Sequence, residues 1–343
     1  MRIGVLTAGG DAPGLNAAVR ALGRRALADG HVVMGVSDGW SGLVSDDGQV
    51  QQRPLSRVDL AGILASGGTV LGSVRYNIDD PAGGRERVLS NIFKNFDALV
   101  AMGGDGTMRI AQWLNENGAR IVGVPKTLDN DLCATEYCIG FDTAVGIVSE
   151  ALDRLHTTAA SHHRVMVLET MGRSTGWVAA LGGLAGGADF VVIPEFPVTL
   201  EDVVTHVRQR HESGRAFSIV VVAEGVRFGS TSNAAVPKHK AFATKGSSRG
   251  IGHVISEYIR RATGFETRAT VLGYVQRGGT PSAHDRVWAT YLGSAAYDAV
   301  LDEAWGMIPV VQNGSITRVD IKKTIEKTHV VPRELYELCA HFF

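Results

Sequence analysis

The chain has 343 residues, 45% apolar and 20% charged, the composition of a globular protein large enough for two cores. Its 34 basic and 35 acidic side chains leave a net charge of -1, which argues against a broad nucleic-acid surface. Three cysteines (Cys133, Cys138, Cys339) offer neither a disulfide framework nor a zinc spacing. No apolar run approaches the roughly 20 residues of a membrane span, and the sequence starts on a strand with no signal peptide. The expectation is a cytoplasmic α/β enzyme with no membrane and no nucleic-acid partner. Its 42 glycines exceed the roughly 7% average and suit many phosphate-approaching turns.

Residues 2–8 read as a buried strand, the turn Gly9-Gly10-Asp11-Ala12-Pro13-Gly14 follows, and a helix is expected over about 15–29. Leu15, Ala18, Val19, Leu22 and Ala26 keep helical spacing there. The turn fits neither G-x-G-x-x-G nor G-x-x-x-x-G-K-[ST], so it is no dinucleotide fingerprint and no Walker loop. A second strand is expected over 31–37, ending in Asp38-Gly39-Trp40. Trp40 is placed either over a base or in core packing. A helix is expected over 58–65. The glycine-rich run 67–75 ends in Arg75, a phosphate clamp or a solvated surface arginine.

The stretch 98–131 carries the chemistry. Strand 98–102 leads into Gly103-Gly104-Asp105-Gly106-Thr107, and strand 121–124 into Pro125-Lys126-Thr127-Leu128-Asp129-Asn130-Asp131. Both turns follow the carboxyl ends of expected parallel strands, where open α/β sheets bind ligands. Bare amides of the first turn can cradle phosphates. A carboxylate among phosphates is repelled unless a cation intervenes, so Asp105 is expected to hold Mg2+; the alternative is a helix cap near Thr107. If the second turn is extended, Thr127, Asp129 and Asp131 face one way. Phosphoryl transfer needs an acceptor for a hydroxyl proton and a metal to absorb charge, and the two aspartates could divide those tasks.

A helix over 143–160 passes into a second lobe. His162 and His163 are adjacent and point apart, so they do not chelate. Strands are expected over 164–169, 190–193, 217–223 and 266–272, and helices over 199–213, 250–263 and 282–303. A polar loop is expected over 233–248. Met171-Gly172-Arg173-Ser174-Thr175-Gly176 and Gly273-Tyr274-Val275-Gln276-Arg277-Gly278-Gly279 are further glycine turns, and Glu224-Gly225 ends a strand. Arg164, Arg173, Arg268 and Arg277 flank strand ends of this lobe, which suggests a phosphorylated acceptor. A strand over 315–320 and a helix near 333–341 carry no visible chemistry. No internal repeat is found. The architecture is expected to be two doubly wound, Rossmann-like lobes with parallel-rich sheets and helices on both faces.

These motifs resemble the bacterial-type 6-phosphofructokinases from residue 1 to about 320. The resemblance implies transfer of the γ-phosphoryl group of ATP to the C1 hydroxyl of fructose 6-phosphate. Gly10, Arg75, Tyr76, Gly104, Asp105, Gly106 and Thr107 fall where the family binds ATP and Mg2+, and Trp40 where a tyrosine often lies beside adenine. Thr127, Asp129, Met171, Gly172, Arg173 and Glu224 fall at fructose 6-phosphate positions, with Asp129 matching the catalytic base. Lys126, Thr127, Asp131 and Arg173 join it as expected catalytic residues. Arg164 and Arg268 match arginines that reach the sugar phosphate from a neighbouring subunit, and Arg277 and Tyr274 match further sugar-phosphate positions. A homotetramer or homodimer with shared active sites is implied. Residues 1–140 with about 276–306 are expected to form the nucleotide and Mg2+ lobe, 141–275 with about 307–330 the sugar-phosphate lobe, and 331–343 a C-terminal extension.

Some positions depart from the pattern. Lys126 looks like the pyrophosphate-using relatives, whereas Gly106 looks like the ATP users, because a carboxylate at 106 would crowd an α-phosphate. A mixed-substrate subgroup combines the two. Tyr274 stands where many relatives have histidine but still donates a hydrogen bond. Arg20, Arg24, Arg57 and Asp189 match effector positions, but His156, Gly62 and Ser213 replace effector ligands, so a weak or altered effector response is expected. The other readings are the pyrophosphate-dependent phosphotransferase, a NAD or lipid kinase sharing the Gly-Gly-Asp-Gly-Thr turn, and a nucleotide-sensing assembly protein.

Overall fold

The computed structural model describes residues 1–44, 49–79, 83–228 and 250–342. The loop expected over 233–248 lies outside them. The chain divides into two compact units, 1–143 with 277–329, and 144–276 with 330–343.

The first unit opens with β1 (Arg2–Thr7), α1 (Leu15–Ala28), β2 (Val32–Val36), the short β3 (Gln52–Pro54), α2 (Gly84–Asn95), β4 (Ala98–Gly103), α3 (Asp105–Glu116) and β5 (Ile121–Pro125). The five strands form one sheet in the order β3-β2-β1-β4-β5, parallel except for the edge strand β3. β4 and β5 are buried along their whole length, as continuous apolar runs are when both faces of a sheet are covered. From β1 the chain winds outward to β2, then returns to lay β4 on the other side of β1. The order therefore reverses between β1 and β4, and the turns at their carboxyl ends flank that switch point.

α4 (Phe141–His162) leads into the second unit, which holds β6 (Val165–Thr170), α5 (Trp177–Ala185), β7 (Phe190–Val192), α6 (Leu200–Glu212), β8 (Ser218–Ala223), α7 (Ile251–Thr263) and β9 (Thr267–Val271). Its four strands are parallel in the order β7-β8-β6-β9. A capping box of Thr199 and Asp202 starts α6. The chain then returns to the first unit through α8 (Ala283–Leu301), the hairpin β10 (Met307–Gln312) and β11 (Ser315–Asp320), and the short α9 (Ile321–Ile325). α10 (Arg333–Ala340) closes the chain in the second unit.

Several expectations are corrected. Residues 307–329 belong with the first unit: the Gly306 amide donates to Ile121 O at 2.8 Å, and α9 packs on α3. Residues 331–342 are no loose extension, since Tyr336 stacks on Phe196 and donates to Val191 O at 3.0 Å. The helix expected over 58–65 is replaced by turns and one 3-10 turn (Ile63–Ala65), because Gly62 enters the left-handed region at φ 76° and breaks the helical path. Among the described residues no helix is long and apolar enough to cross a membrane.

Candidate active site

In the first unit three strand-end turns meet. The turn after β1 is tied down through its carbonyls: Ser73 donates to Gly9 O at 2.7 Å, Arg277 to Asp11 O at 3.0 Å, and Lys126 to Ala8 O at 3.0 Å and also to Gly10 O. A Cβ at residue 10 would lie 2.5 Å from the Arg277 guanidinium, so only glycine admits that close approach. Arg277 thus works in the first unit, beside the turn after β1, and not among the strand ends of the second unit as expected. With Arg75 it adds positive charge around Lys126.

Lys126 directly follows β5 and is 2% exposed. Burial first, then the charges of Arg277 and Arg75, push its ammonium down to about 8, while Asp11 and Asp131 oppose the shift.

β4 ends in the second turn. α3 starts directly after Gly104, and no side chain caps it, so the first-turn amides remain available to an anion. Asp105 is therefore not the cap. Both its oxygens are engaged by Arg109, at 2.8 and 2.9 Å, and its side chain stays 45% exposed. Gly106 is exposed, and a Cβ there would meet no atom within 4 Å, so the space beside it is open. Thr107 is buried with its hydroxyl against Gly103.

The third turn abuts the second: a Cβ on Gly104 would lie 3.4 Å from Lys126 O and 3.5 Å from Thr127 Cβ. The segment is not extended as expected. Leu128 and Asp129 form a turn, the Asp129 amide donates to Thr127 Oγ1 at 3.2 Å, and Asn130 is left-handed at φ 49°. Thr127 and Asp131 still come together, because the turn folds back. Burial lifts the Asp131 carboxyl above its usual range, the Thr127 hydroxyl and Lys126 pull it back, and Asp105's charge adds to the rise. Asp131 Oδ1 is buried without a hydrogen-bond partner among the described residues. Asp129 itself is partly buried.

Asp105 and Asp131 lie near enough for their charges to act on each other, and carboxylate oxygens are the groups a hard divalent cation takes. Among the described residues no cluster of three His, Cys, Asp or Glu groups could hold a metal, so such an ion needs oxygens from elsewhere.

Trp40 is 2% exposed and sits in the core cluster with Leu6, Val36 and Leu43. It cannot cover a base, and the packing alternative takes its place. Tyr76 packs partly on the same cluster, and Arg75 is exposed.

In the second unit the turns after β6 and β8 interlock. The Glu224 amide donates to Thr170 O and the Gly225 amide to Gly172 O, both at 2.9 Å. Gly172 adopts φ 128°, closed to other residues, which leaves Arg173 exposed at the turn's crest. The Met171 amide donates to the fully buried Gln276 at 3.1 Å, fixing this turn to the one after β9. Nothing in the sequence had singled out Gln276. Tyr274 is 82% exposed in that same turn. Glu169, also unforeseen, is buried and accepts from the Gly252 amide at 2.7 Å at the start of α7. Burial, with Glu224's charge, raises its carboxyl above the usual range.

The three arginines of this unit do not gather at one edge. Arg164 directly precedes β6, and Arg268 lies near the start of β9, opposite Met166. Arg173 follows the far end of β6, about 20 Å away along six residues of strand. Arg164 and Arg268 share one oxygen of Glu266, at 2.8 and 2.6 Å, and the Arg164 pairing holds that carboxyl below its usual range. Asp189, which matches an effector position, and His156, which replaces an effector ligand, are also engaged internally. Asp189 is bound by Arg210 at 2.5 Å and by the Ile219 amide at 2.8 Å, and His156 Nε2 lies 2.9 Å from Gly186 O.

The switch-point loops, the open helix start and the paired carboxylates define a phosphoryl-handling α/β protein. The phosphofructokinase family model matches residues 2–300. The chain belongs to the phosphofructokinase family. It is 45% identical over 354 residues to the pyrophosphate--fructose 6-phosphate 1-phosphotransferase of Amycolatopsis methanolica, covering all of both chains. It is 44% identical to the ATP-dependent 6-phosphofructokinase of Chloroflexus aggregans, covering 99% of this chain and 95% of the other. Among solved structures, Pichia pastoris phosphofructokinase in the T-state superimposes with TM-score 0.83 at 32% identity, over 95% of this chain and 35% of that longer one. The pyrophosphate-dependent phosphofructokinase of Nitrosospira multiformis has TM-score 0.81 at 21% identity and shares the fold, over 99% of this chain and 90% of the other.

Proposed function

We propose that the chain is an ATP-dependent 6-phosphofructokinase, moving the γ-phosphoryl group of ATP to the C1 hydroxyl of fructose 6-phosphate. The observation that carries this reading is the contact between the turn bearing Asp105 and Gly106 and the turn bearing Thr127, Asp129 and Asp131. A group binding donor phosphates and a group able to take the acceptor's proton stand side by side. Asp129 accepts the C1 hydroxyl proton. Gly10, Gly104, Thr107 and the α3 amides hold the donor phosphates, with Arg75 and Tyr76 alongside. Asp105 and Asp131 would hold Mg2+, which neutralises polyphosphate charge when bound.

In the second unit Met171, Gly172, Arg173, Glu224 and Tyr274 are assigned to the sugar phosphate. Arg277 is retained as a phosphate ligand, now beside the donor turn. Arg164 and Arg268, at the opposite strand ends from Arg173, are assigned to the active site of another subunit in a homodimer or homotetramer. A cytoplasmic location belongs to the same reading.

Open space at Gly106 favours ATP, since it leaves room for an α-phosphate. The second reading, pyrophosphate as donor, is supported by Lys126, whose buried charge lies beside the donor turn. Steady-state rates with each donor decide between them. ATP is expected to be the better donor, and Gly106→Asp is expected to impair ATP use far more than pyrophosphate use. Turnover with pyrophosphate alone would reverse the donor assignment.

A further inference from the structure

The segment following β11 carries no chemistry in its sequence, yet it touches both reactive turns of the first unit. His329 Nδ1 lies 2.9 Å from Asn130 O, and a carbonyl can only accept, so Nδ1 carries the proton. The His329 amide donates to Asp131 O at 2.9 Å, Thr328 forms an antiparallel bridge with Leu132, and the Cys133 amide donates to Thr324 O at 2.9 Å. At the other end, Arg109 donates to Ile325 O at 3.1 Å while its guanidinium holds both oxygens of Asp105.

Asn130 is the critical point of this contact. Its left-handed backbone, at φ 49°, separates Asp129 from Asp131 and sets where each carboxylate leaves the chain. Asparagine enters that region more readily than other residues with a Cβ, and here its surroundings hold it there. Two bonds do so: Asn130 Nδ2 donates to Glu136 O at 3.1 Å, and His329 grips the Asn130 carbonyl.

We propose that residues 324–329 form a strap that positions the catalytic turn, with His329 pinning Asn130 and Arg109 linking the same strap to Asp105. His329 and Arg109 are positioning residues, acting on Asp129, Asp131 and Asp105 and not on substrate. The inference rests on the assignment of those aspartates to phosphoryl transfer, but its structural half can be read without turnover.

The test compares His329→Phe, which keeps ring size and loses the donor, with His329→Asn, whose amide Nδ2 can replace Nδ1. Amide hydrogen exchange of residues 129–133 and steady-state kinetics are measured on the full chain. In His329→Phe the exchange of these amides is expected to quicken about tenfold or more. The value of kcat is expected to fall about 10–100-fold, with KM for fructose 6-phosphate within about threefold of wild type. His329→Asn is expected to restore both. Arg109→Met, a surface change that leaves His329 in place, is expected to lower kcat with the same unchanged KM and to speed exchange at 324–328.

Wild-type exchange and kcat in His329→Phe would overturn the proposal, as would a His329→Asn variant no better than the phenylalanine. If His329→Phe does not fold, wild-type kcat in Arg109→Met or impaired exchange protection in His329→Asn overturns it. Failure of the underlying functional reading shows differently: the wild type itself would not transfer phosphate, whatever the exchange data say.

Discussion

A lysine buried among main-chain carbonyls is costly to keep charged, and Lys126 shows the cost directly. Its ordinary value of 10.5 falls to about 8 in the folded unit, mainly through burial. Between those two pH values the unfolded chain holds a proton that the folded chain has released. Unfolding therefore takes up a proton, and stability rises with pH across that window. Relative to Lys126→Met, the wild type is expected to gain up to about 3 kcal/mol between pH 7.5 and 10.5, in urea unfolding at each pH. A pH-independent difference between the two proteins would show that Lys126 keeps its ordinary value in the folded unit. The penalty is tolerated because the same ammonium fixes the carbonyls of the turn after β1, a bond that an apolar side chain cannot replace. Asp105 and Asp129 drew attention in the sequence because each carboxylate stands in a strand-end turn, and the structure keeps both in such turns. Trp40 misled, because an aromatic after a strand serves a core as readily as a base. His329, Gln276 and Glu169 gave no sign, since each acts through a partner distant in sequence.

At the scale of elements, the parallel strands were readable because they are uninterrupted apolar runs bounded by glycine. α2 escaped notice because only Val88 and Ile92 among its apolar residues are buried, leaving little periodicity. β10 was missed because Pro309 sits within it, which demotes a strand in any sequence reading. The second unit's strand-end turns owe their shape to backbone packing that no single residue announces. Gly225 stands so close to Arg173 that an added Cβ would lie 2.1 Å from the arginine carbonyl. Gly225→Ala is therefore expected to displace the Arg173 turn. Its KM for fructose 6-phosphate should rise about tenfold or more while KM for ATP stays within about twofold, by initial-rate kinetics. Equal effects on both substrates would remove Arg173's turn from acceptor binding.

At the scale of the whole molecule, two doubly wound units are threaded by one chain that leaves the first and returns to it. The glycine turns showed that there were two such units. Their borders did not show, because the return of 307–329 to the first unit depends on β10 and α9 packing against β5 and α3. The placement of Arg164 and Arg268 at the strand ends opposite Arg173 bears on assembly. If they serve another subunit's site, Arg268→Ser and Asp129→Ser chains, each inactive alone, should regain activity when unfolded together and reassembled. Mixed oligomers without any recovery would place the arginines outside catalysis.

In the proposed reaction Asp129 takes the proton of the acceptor hydroxyl beside a bound polyphosphate. This role is tested most directly by comparing wild type with Asp129→Ser in the conversion of fructose 6-phosphate and ATP to fructose 1,6-bisphosphate. In Asp129→Ser kcat is expected to fall by at least about 100-fold while fructose 6-phosphate affinity is nearly unchanged. Lost affinity with kcat intact, or full activity, would contradict it.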